Sequence, residues 1–110
     1  MSETWITVCE KTDLTPNTGV CALVDNEQVA VFWEGISNEL FAVSNYDPIG
    51  EANVLSRGML GSIGPALVVA SPLYKQHFDL RSGECLESPE YSLKTWQIRE
   101  SEGTVQVLAA

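Results

Sequence analysis

Apolar residues along this chain come in short runs with a period near two, each closed by turn-forming residues. Trp5-Ile6-Thr7-Val8-Cys9 is rich in β-formers and ends at the polar Glu10-Lys11-Thr12-Asp13. Pro16-Asn17-Thr18-Gly19 breaks the chain before Val20-Cys21-Ala22-Leu23-Val24, and Asp25-Asn26-Glu27 connects that run tightly to Gln28-Val29-Ala30-Val31-Phe32-Trp33. Two β-rich runs across so short a polar link predict a hairpin. Leu40-Phe41-Ala42-Val43-Ser44 predicts a fourth strand, and the polar, Gly-containing stretch 33–39 is expected to lie outside the sheet. From 45 to 65 the run of Pro48, Gly50, Gly58, Gly61, Gly64 and Pro65 predicts mostly loop, with a short strand near Val54-Leu55-Ser56.

Ala66-Leu67-Val68-Val69-Ala70 is apolar without interruption, which predicts a strand covered on both faces. Gln76 to Leu80 predicts a strand, with Arg81-Ser82-Gly83-Glu84 as its turn. Tyr91 to Ile98 alternates as a strand should, and Ser101-Glu102-Gly103 turns the chain into Thr104-Val105-Gln106-Val107-Leu108. No stretch has helical period over a useful length. About nine short strands at this spacing predict an all-β fold, an antiparallel sandwich or small barrel with little helix.

Composition narrows the function classes. The 110 residues suit one domain spanning 1–110, with an apolar share of 45% and a charged share of 19% that belong to an ordinary globular protein. A formal charge of −9 disfavours nucleic acid and anionic membrane as partners, since both reward basic patches. No run approaches the roughly 20 apolar residues of a membrane helix, and Met1 to Trp5 shows no signal-peptide pattern. Both features point to the cytoplasm. Cys9, Cys21 and Cys85 are odd in number and stand in no metal-binding spacing, so they are expected to be reduced thiols packed as small apolar residues.

The segment Ser71-Pro72-Leu73-Tyr74-Lys75-Gln76-His77-Phe78-Asp79, followed by Leu80-Arg81-Ser82-Gly83, has a distinctive frame. It resembles the second cluster-binding loop of Rieske proteins, in which Cys-Pro-x-His-Gly-x-x-Phe precedes a strand and a Gly-containing turn. The Pro, Phe, Asp and Gly match; Ser71 stands at the Cys place and Tyr74 at the His place. The first Rieske loop carries Cys-x-His after a strand, and here Asn45-Tyr46-Asp47 follows the strand ending Val43-Ser44, placing Asn45 and Asp47 at those two positions. A Rieske cluster needs two thiolates on one iron and two imidazoles on the other, and hard oxygen donors fit iron–sulfur chemistry poorly. The resemblance therefore implies a Rieske-like domain with no cluster and no metal of its own.

Beyond the loops, Thr18-Gly19-Val20-Cys21-Ala22-Leu23, Glu27 to Phe32, Ala42 to Pro48, Val54-Leu55-Ser56-Arg57-Gly58, Val69 to Leu73 and Lys75 to Phe78 resemble the small subunits of bacterial cytoplasmic NAD(P)H-dependent nitrite reductases. That resemblance implies a partner, a large subunit with flavin (FAD), iron–sulfur and sirohaem centres that reduces nitrite to ammonium in nitrate assimilation. It implies no catalytic residue in this chain. A cluster-free adaptor of another oxidoreductase and a free ferredoxin-type electron carrier are the rival readings, the second opposed by the missing ligands.

Each site residue has a plain alternative. Asn45, Asp47, Ser71 and Tyr74 read as loop stabilisers, because Asn and Asp satisfy turn backbone through their side chains and a tyrosine ring can fill vacated space. An oxygen-rich metal site needs several converging carboxylate or carbonyl ligands, and only Asp47 is charged. Arg57, Lys75 and His77 are the basic or switchable residues of the two loops and are candidates for docking to carboxylates of a partner; His77 is expected to point outward beside an inward Phe78. Trp5, Trp33 and Trp96 read as core or rim packing, and Glu84, Glu87 and Glu90 as solvated charge. A Ser71/His77/Asp79 triad lacks the strand-turn-helix elbow that such a nucleophile uses.

Overall fold

The computed structural model describes residues 4–73 and 75–109. Twelve strands run in the order β1 (Trp5–Glu10), β2 (Gly19–Val24), β3 (Glu27–Glu34), β4 (Glu39–Ser44), β5 (Tyr46–Asp47), β6 (Ala52–Asn53), β7 (Met59–Ile63), β8 (Ala66–Ala70), β9 (His77–Asp79), β10 (Thr95–Trp96), β11 (Ile98–Ser101) and β12 (Thr104–Leu108). Single turns of 3-10 helix at Lys11–Asp13 and Leu55–Arg57 complete the elements. All the strand pairings are antiparallel. Nine of the strands have three or more residues, and the remaining pieces, β5, β6 and β10, are two-residue pairings too short to mark a sequence.

The sheet β10-β4-β3-β2 is the middle layer. Ala30 and Phe32 of β3, with Phe41 and Val43 of β4, pack against Leu55, Val69 and Phe78 beneath the sheet β7-β8-β9. Val29, Val31 and Ala42 pack the other way, against Val105 and Val107 of the sheet β1-β12-β11. Successive side chains leave a strand on opposite faces, so a strand buried on both faces must be apolar at consecutive positions. The run Val29-Ala30-Val31-Phe32, with each residue 0% exposed, is the result.

Several sequence expectations are corrected. The polar stretch 33–39 leaves the sheet only at its centre: β3 continues through Glu34 and β4 begins at Glu39, leaving a turn of 35–38. Glu34 makes this possible, because its carboxylate accepts hydrogen bonds from the amides of Ile36 and Ser37 at 3.1 and 2.7 Å and from the Ser37 hydroxyl at 2.7 Å. The segment 45–65 is less of a loop than expected, since Met59–Ile63 is a full strand paired with β8, and Val54-Leu55-Ser56 is not a strand. The 3-10 turn drives Leu55 into the core, and the amide of Gly58 closes it on the Leu55 carbonyl. The alternating run 91–98 is split: Thr95 and Trp96 pair with β4, and Ile98 already belongs to the outer sheet beside β12. Of the cysteines, Cys85 is buried as expected, whereas Cys21 is exposed on β2.

Gly83 shows how tightly the core beneath β7-β8-β9 is closed. It adopts φ +83°, and a Cβ there would meet the Leu93 carbonyl oxygen at 2.1 Å. The amide of Gly83 bonds the Asp79 carbonyl at 2.7 Å, and its carbonyl accepts from the Leu93 amide at 2.7 Å. Gly83→Ala is therefore expected to destabilise the domain by about 2–4 kcal/mol, from left-handed strain plus the clash. Urea unfolding with an unchanged m-value is the check, and a loss below about 0.5 kcal/mol would contradict this account of the turn.

Candidate functional site

The two loops that follow β4 and β8 meet at one end of the molecule, and their polar side chains face inward. Asn45 is buried immediately after β4, where its backbone amide bonds the Gln28 carbonyl at 3.0 Å. Its side-chain amide donates to Gln28 Oε1 at 3.0 Å, and its Oδ1 accepts from the Ser56 amide at 2.7 Å. One residue thereby ties the β2–β3 hairpin to the 3-10 turn that carries Leu55. Two residues on, Asp47 is 0% exposed. Its Oδ1 accepts from the amides of Ile49 and Gly50 at 2.8 and 3.0 Å, the short-range bonding that suits Asp to turns.

The other oxygen of Asp47 crosses to the second loop. Ser71, 1% exposed, donates its hydroxyl to Asp47 Oδ2 at 2.5 Å across 24 residues of sequence. The same hydroxyl oxygen accepts from the Leu73 amide at 3.3 Å, and the Ser71 backbone bonds the Gln76 carbonyl and the Lys75 amide at 2.9 and 3.0 Å. Burial of a carboxylate costs several kcal/mol unless hydrogen bonds replace its water; three donors do so here. Gly50 permits the close approach, since a Cβ there would meet Leu73 Cδ1 at 2.4 Å and Asp47 Oδ2 at 3.1 Å.

Structure thus brings Asn45, Asp47 and Ser71 together as stabilisers of the loops, while Tyr74 lies outside the described residues. Arg57 and Lys75 are exposed on the flanks, Lys75 with a left-handed φ of 61°. His77 does point outward beside the buried Phe78, but it is engaged: Nδ1 lies 2.6 Å from Glu87 Oε2, and its amide donates to Glu87 Oε1 at 2.8 Å. Glu87, expected to be plain solvated charge, is therefore a structural partner. Sequence reasoning had little chance of finding it, because the ten-residue span between them contains the Gly83 turn that brings them together.

Most cations of the chain are held by their own fold. Lys11 lies 3.5 Å from the centre of the Trp33 ring and Arg99 4.0 Å from that of Trp5. Arg81 grips Glu39 with two bonds of 2.7 and 2.5 Å, and Lys94 pairs with Glu27 at 3.1 Å. The three tryptophans accordingly sit at the rim, half-buried under cations. Among the described residues, Arg57 and Lys75 make no such contact, and both belong to the joined loops.

The chemistry available at these loops is limited. Burial pushes the thiols of Cys9, Cys21 and Cys85 up, away from the reactive thiolate. The Ser71 hydroxyl is committed to Asp47 and the His77 ring to Glu87, so no serine–histidine relay forms. Nor do the residues fit a Rieske cluster. The side chains at three of its ligand positions are an amide, a carboxylate and a hydroxyl; two of these bond each other, the third bonds Gln28 and Ser56, and all are hard donors. Among the described residues no group of three His, Cys, Asp or Glu is placed to hold a metal ion.

Two consequences can be measured. Asp47→Ala strands the Ser71 hydroxyl and two amides and is expected to cost about 2–5 kcal/mol, with Ser71→Ala costing about 1–2 kcal/mol and the double mutant less than the sum by about 1 kcal/mol or more. Strict additivity in urea melts would contradict the loop-to-loop bond. The second concerns pH. Hydrogen bonds from the Ser37 hydroxyl and the Ser37 and Ile36 amides hold the Glu34 carboxyl below its ordinary value. At Glu87, burial acts upward, but the His77 amide and ring outweigh it and the net shift is also downward. Depressed carboxylates contribute stability that is complete above the unfolded value of about 4.3 and is lost as pH falls through the folded value. Stability is therefore expected to fall below about pH 4.3, less steeply in Glu34→Gln; an unchanged slope in acid titration of that variant would remove Glu34 from the account.

Comparison with known proteins gives a consistent picture. The family model described as a Rieske-like [2Fe-2S] domain matches residues 4–108. The NADH nitrite reductase small subunit of Escherichia coli K12 is 46% identical over 103 residues, covering 94% of this chain and 95% of that one. The solution structure of the nitrite reductase NAD(P)H small subunit from Erwinia carotovora superposes with a TM-score of 0.80 at 45% identity, covering 96% and 82% of the two chains. The nitrite reductase NAD(P)H large subunit of Klebsiella oxytoca matches at 36% identity over 106 residues, 96% of this chain but 11% of that longer polypeptide.

Proposed function

Because this chain belongs to the Rieske-like domain family and, within it, to the small subunits of NAD(P)H-dependent nitrite reductases, we propose that it acts as the cluster-free small subunit of such an enzyme in the cytoplasm. The observation that carries this reading is the Asp47–Ser71 hydrogen bond. In a Rieske loop pair the cluster ties one loop to the other; here a buried carboxylate and a hydroxyl make the tie with protein atoms alone. The loops keep their frame and lose their redox centre. What the frame then offers is a surface: Leu73 and Tyr46, 44% and 42% exposed, stand at the loop end with the uncommitted Arg57 and Lys75 in an otherwise acidic protein.

The occupant of that surface is the large subunit, which carries the flavin, iron–sulfur and sirohaem chemistry. The Klebsiella relative supports the pairing, since a segment like this chain is part of the large-subunit polypeptide itself. Two pieces encoded as one chain in one organism are under constraint to work in contact. This chain contributes binding and positioning; Arg57 and Lys75 are its docking cations toward carboxylates of the partner, and His77, held by Glu87, is a third docking candidate.

The purified chain is expected to contain no stoichiometric iron and no visible iron–sulfur absorbance; metal analysis showing two irons per chain would overturn the cluster-free reading. Co-expressed with the large subunit, it is expected to purify as a complex. Arg57→Glu with Lys75→Glu is expected to weaken that complex about tenfold, equivalent to about 1.4 kcal/mol, mostly through slower association. Undiminished affinity at low salt would move the docking surface away from the loops.

A further inference from the structure

β7 is an edge strand, and it lacks the features that normally protect one. It pairs with β8 from Met59↔Ala70 to Ile63↔Ala66 without a bulge, and among the described residues its other side has no strand beside it. Exposed edges are ordinarily blunted by charge, proline, a bulge or cover from another element. Met59-Leu60-Gly61-Ser62-Ile63 has no charge and no proline, and among the described residues its backbone bonds nothing outside the β8 pairing. The two-residue turn Gly64-Pro65 closes on the Ile63–Ala66 pair, so by antiparallel alternation Met59, Gly61 and Ile63 exchange bonds with β8. Leu60 and Ser62 therefore turn their N–H and C=O groups to the open side.

The surroundings of that edge are shaped to receive a chain. A groove of about 360 Å³ runs between Leu60, Ser62 and Leu67 on one side and Asn17, Ile36 and Ser37 on the other. Past Leu60 a second hollow continues it to Arg57 and Met59. Ile36 is 94% exposed at the tip of the β3–β4 turn, and Met59 is 77% exposed. Apolar groups so fully in solvent beside an open row of peptide groups are the elements of strand addition, in which main-chain bonds supply affinity and alternate pockets supply specificity. Arg57 stands at one end, and among the described residues no carboxylate pairs with it. A second copy of this chain is a poor occupant: each copy carries −9, and two-fold pairing of β7 with itself brings no acidic side chain of the strand to Arg57.

We infer that the open edge of β7 accepts an extended segment of the large subunit as an added strand, apolar at alternate positions and bearing a carboxylate where it passes Arg57. The inference rests on the assembly described under Proposed function and specifies how the surface at Arg57 continues along the molecule. Ile36 and Met59 lose their exposure beneath the added segment, and the Leu60 and Ser62 amides gain acceptors.

The test is hydrogen exchange on the full chain, free and in the co-purified complex, together with affinity measurements on Ser62→Pro and Met59→Asp. Proline at 62 removes an N–H that points away from β8 and leaves the β7–β8 bonds intact; an unchanged circular dichroism spectrum and urea midpoint verify its folding. Amide exchange at Leu60 and Ser62 is expected to slow at least tenfold in the complex, and each variant is expected to weaken binding at least tenfold. If the wild-type chain forms no complex at all, the assembly reading fails, and this inference with it. If the complex forms while Leu60 and Ser62 exchange as in the free chain, or while folded Ser62→Pro binds at full strength, strand addition is overturned and the assembly stands. Protection of these amides in the isolated chain that rises with its concentration would overturn the inference in favour of self-pairing.

Discussion

Everything in this domain is arranged around a sheet that must be covered twice. β3 and β4 carry apolar side chains at consecutive positions, so one face cannot be left to water without exposing Val29, Val31 and Ala42 or Ala30, Phe32 and Phe41. The chain answers with a sheet on each side, β1-β12-β11 drawn from its two ends and β7-β8-β9 from its middle. That arrangement decides where function can sit. Both faces of the central sheet are spent on the core, leaving the loops at the strand ends and the edges of the outer sheets as the surfaces free to meet a partner.

The joined loops are held in a Rieske-like frame by protein atoms. Asn45 and Asp47 leave β4 in one direction and Ser71 leaves β8 in another, and the loops are held together by a hydrogen bond between fully buried groups. Such a bond is strong where water is excluded and expensive to break from one side only. It fixes the loop shape without electrons to move. Around them Leu73, Tyr46, Arg57 and Lys75 are left exposed.

The surface charge supports the same division. Lys11, Arg81, Lys94 and Arg99 are spent on tryptophan rings and on Glu39 and Glu27. The two cations left over lie around the loops, one of them next to the strand whose edge is open. An acidic protein that leaves its spare positive charge in one region gives a partner a defined place to bind, and attraction there is long-ranged at low salt.

Much of this was written in local sequence. The β2–β3 hairpin, the Gly83 turn and the Rieske-like frame without soft ligands follow from residue type and spacing alone, because they depend on turn chemistry and donor identity. The loop-stabilising role of Asp47 was legible for the same reason, since its bonds to the Ile49 and Gly50 amides are local, whereas Asn45 reaches Gln28 and Ser56 across the fold. Contacts between distant segments were not. That Ser71 is the partner of Asp47, that Glu87 holds His77, that Glu34 keeps β3 paired through a polar stretch and that 54–56 coils inward as a 3-10 turn all depend on which surfaces the three layers press together. Strand β7 is the clearest case: the glycines and prolines of 45–65 predict loop, and only the packed fold pairs Met59–Ile63 with β8 and, among the described residues, leaves its other side without a neighbour, because an edge is a property of the sheet and not of the strand.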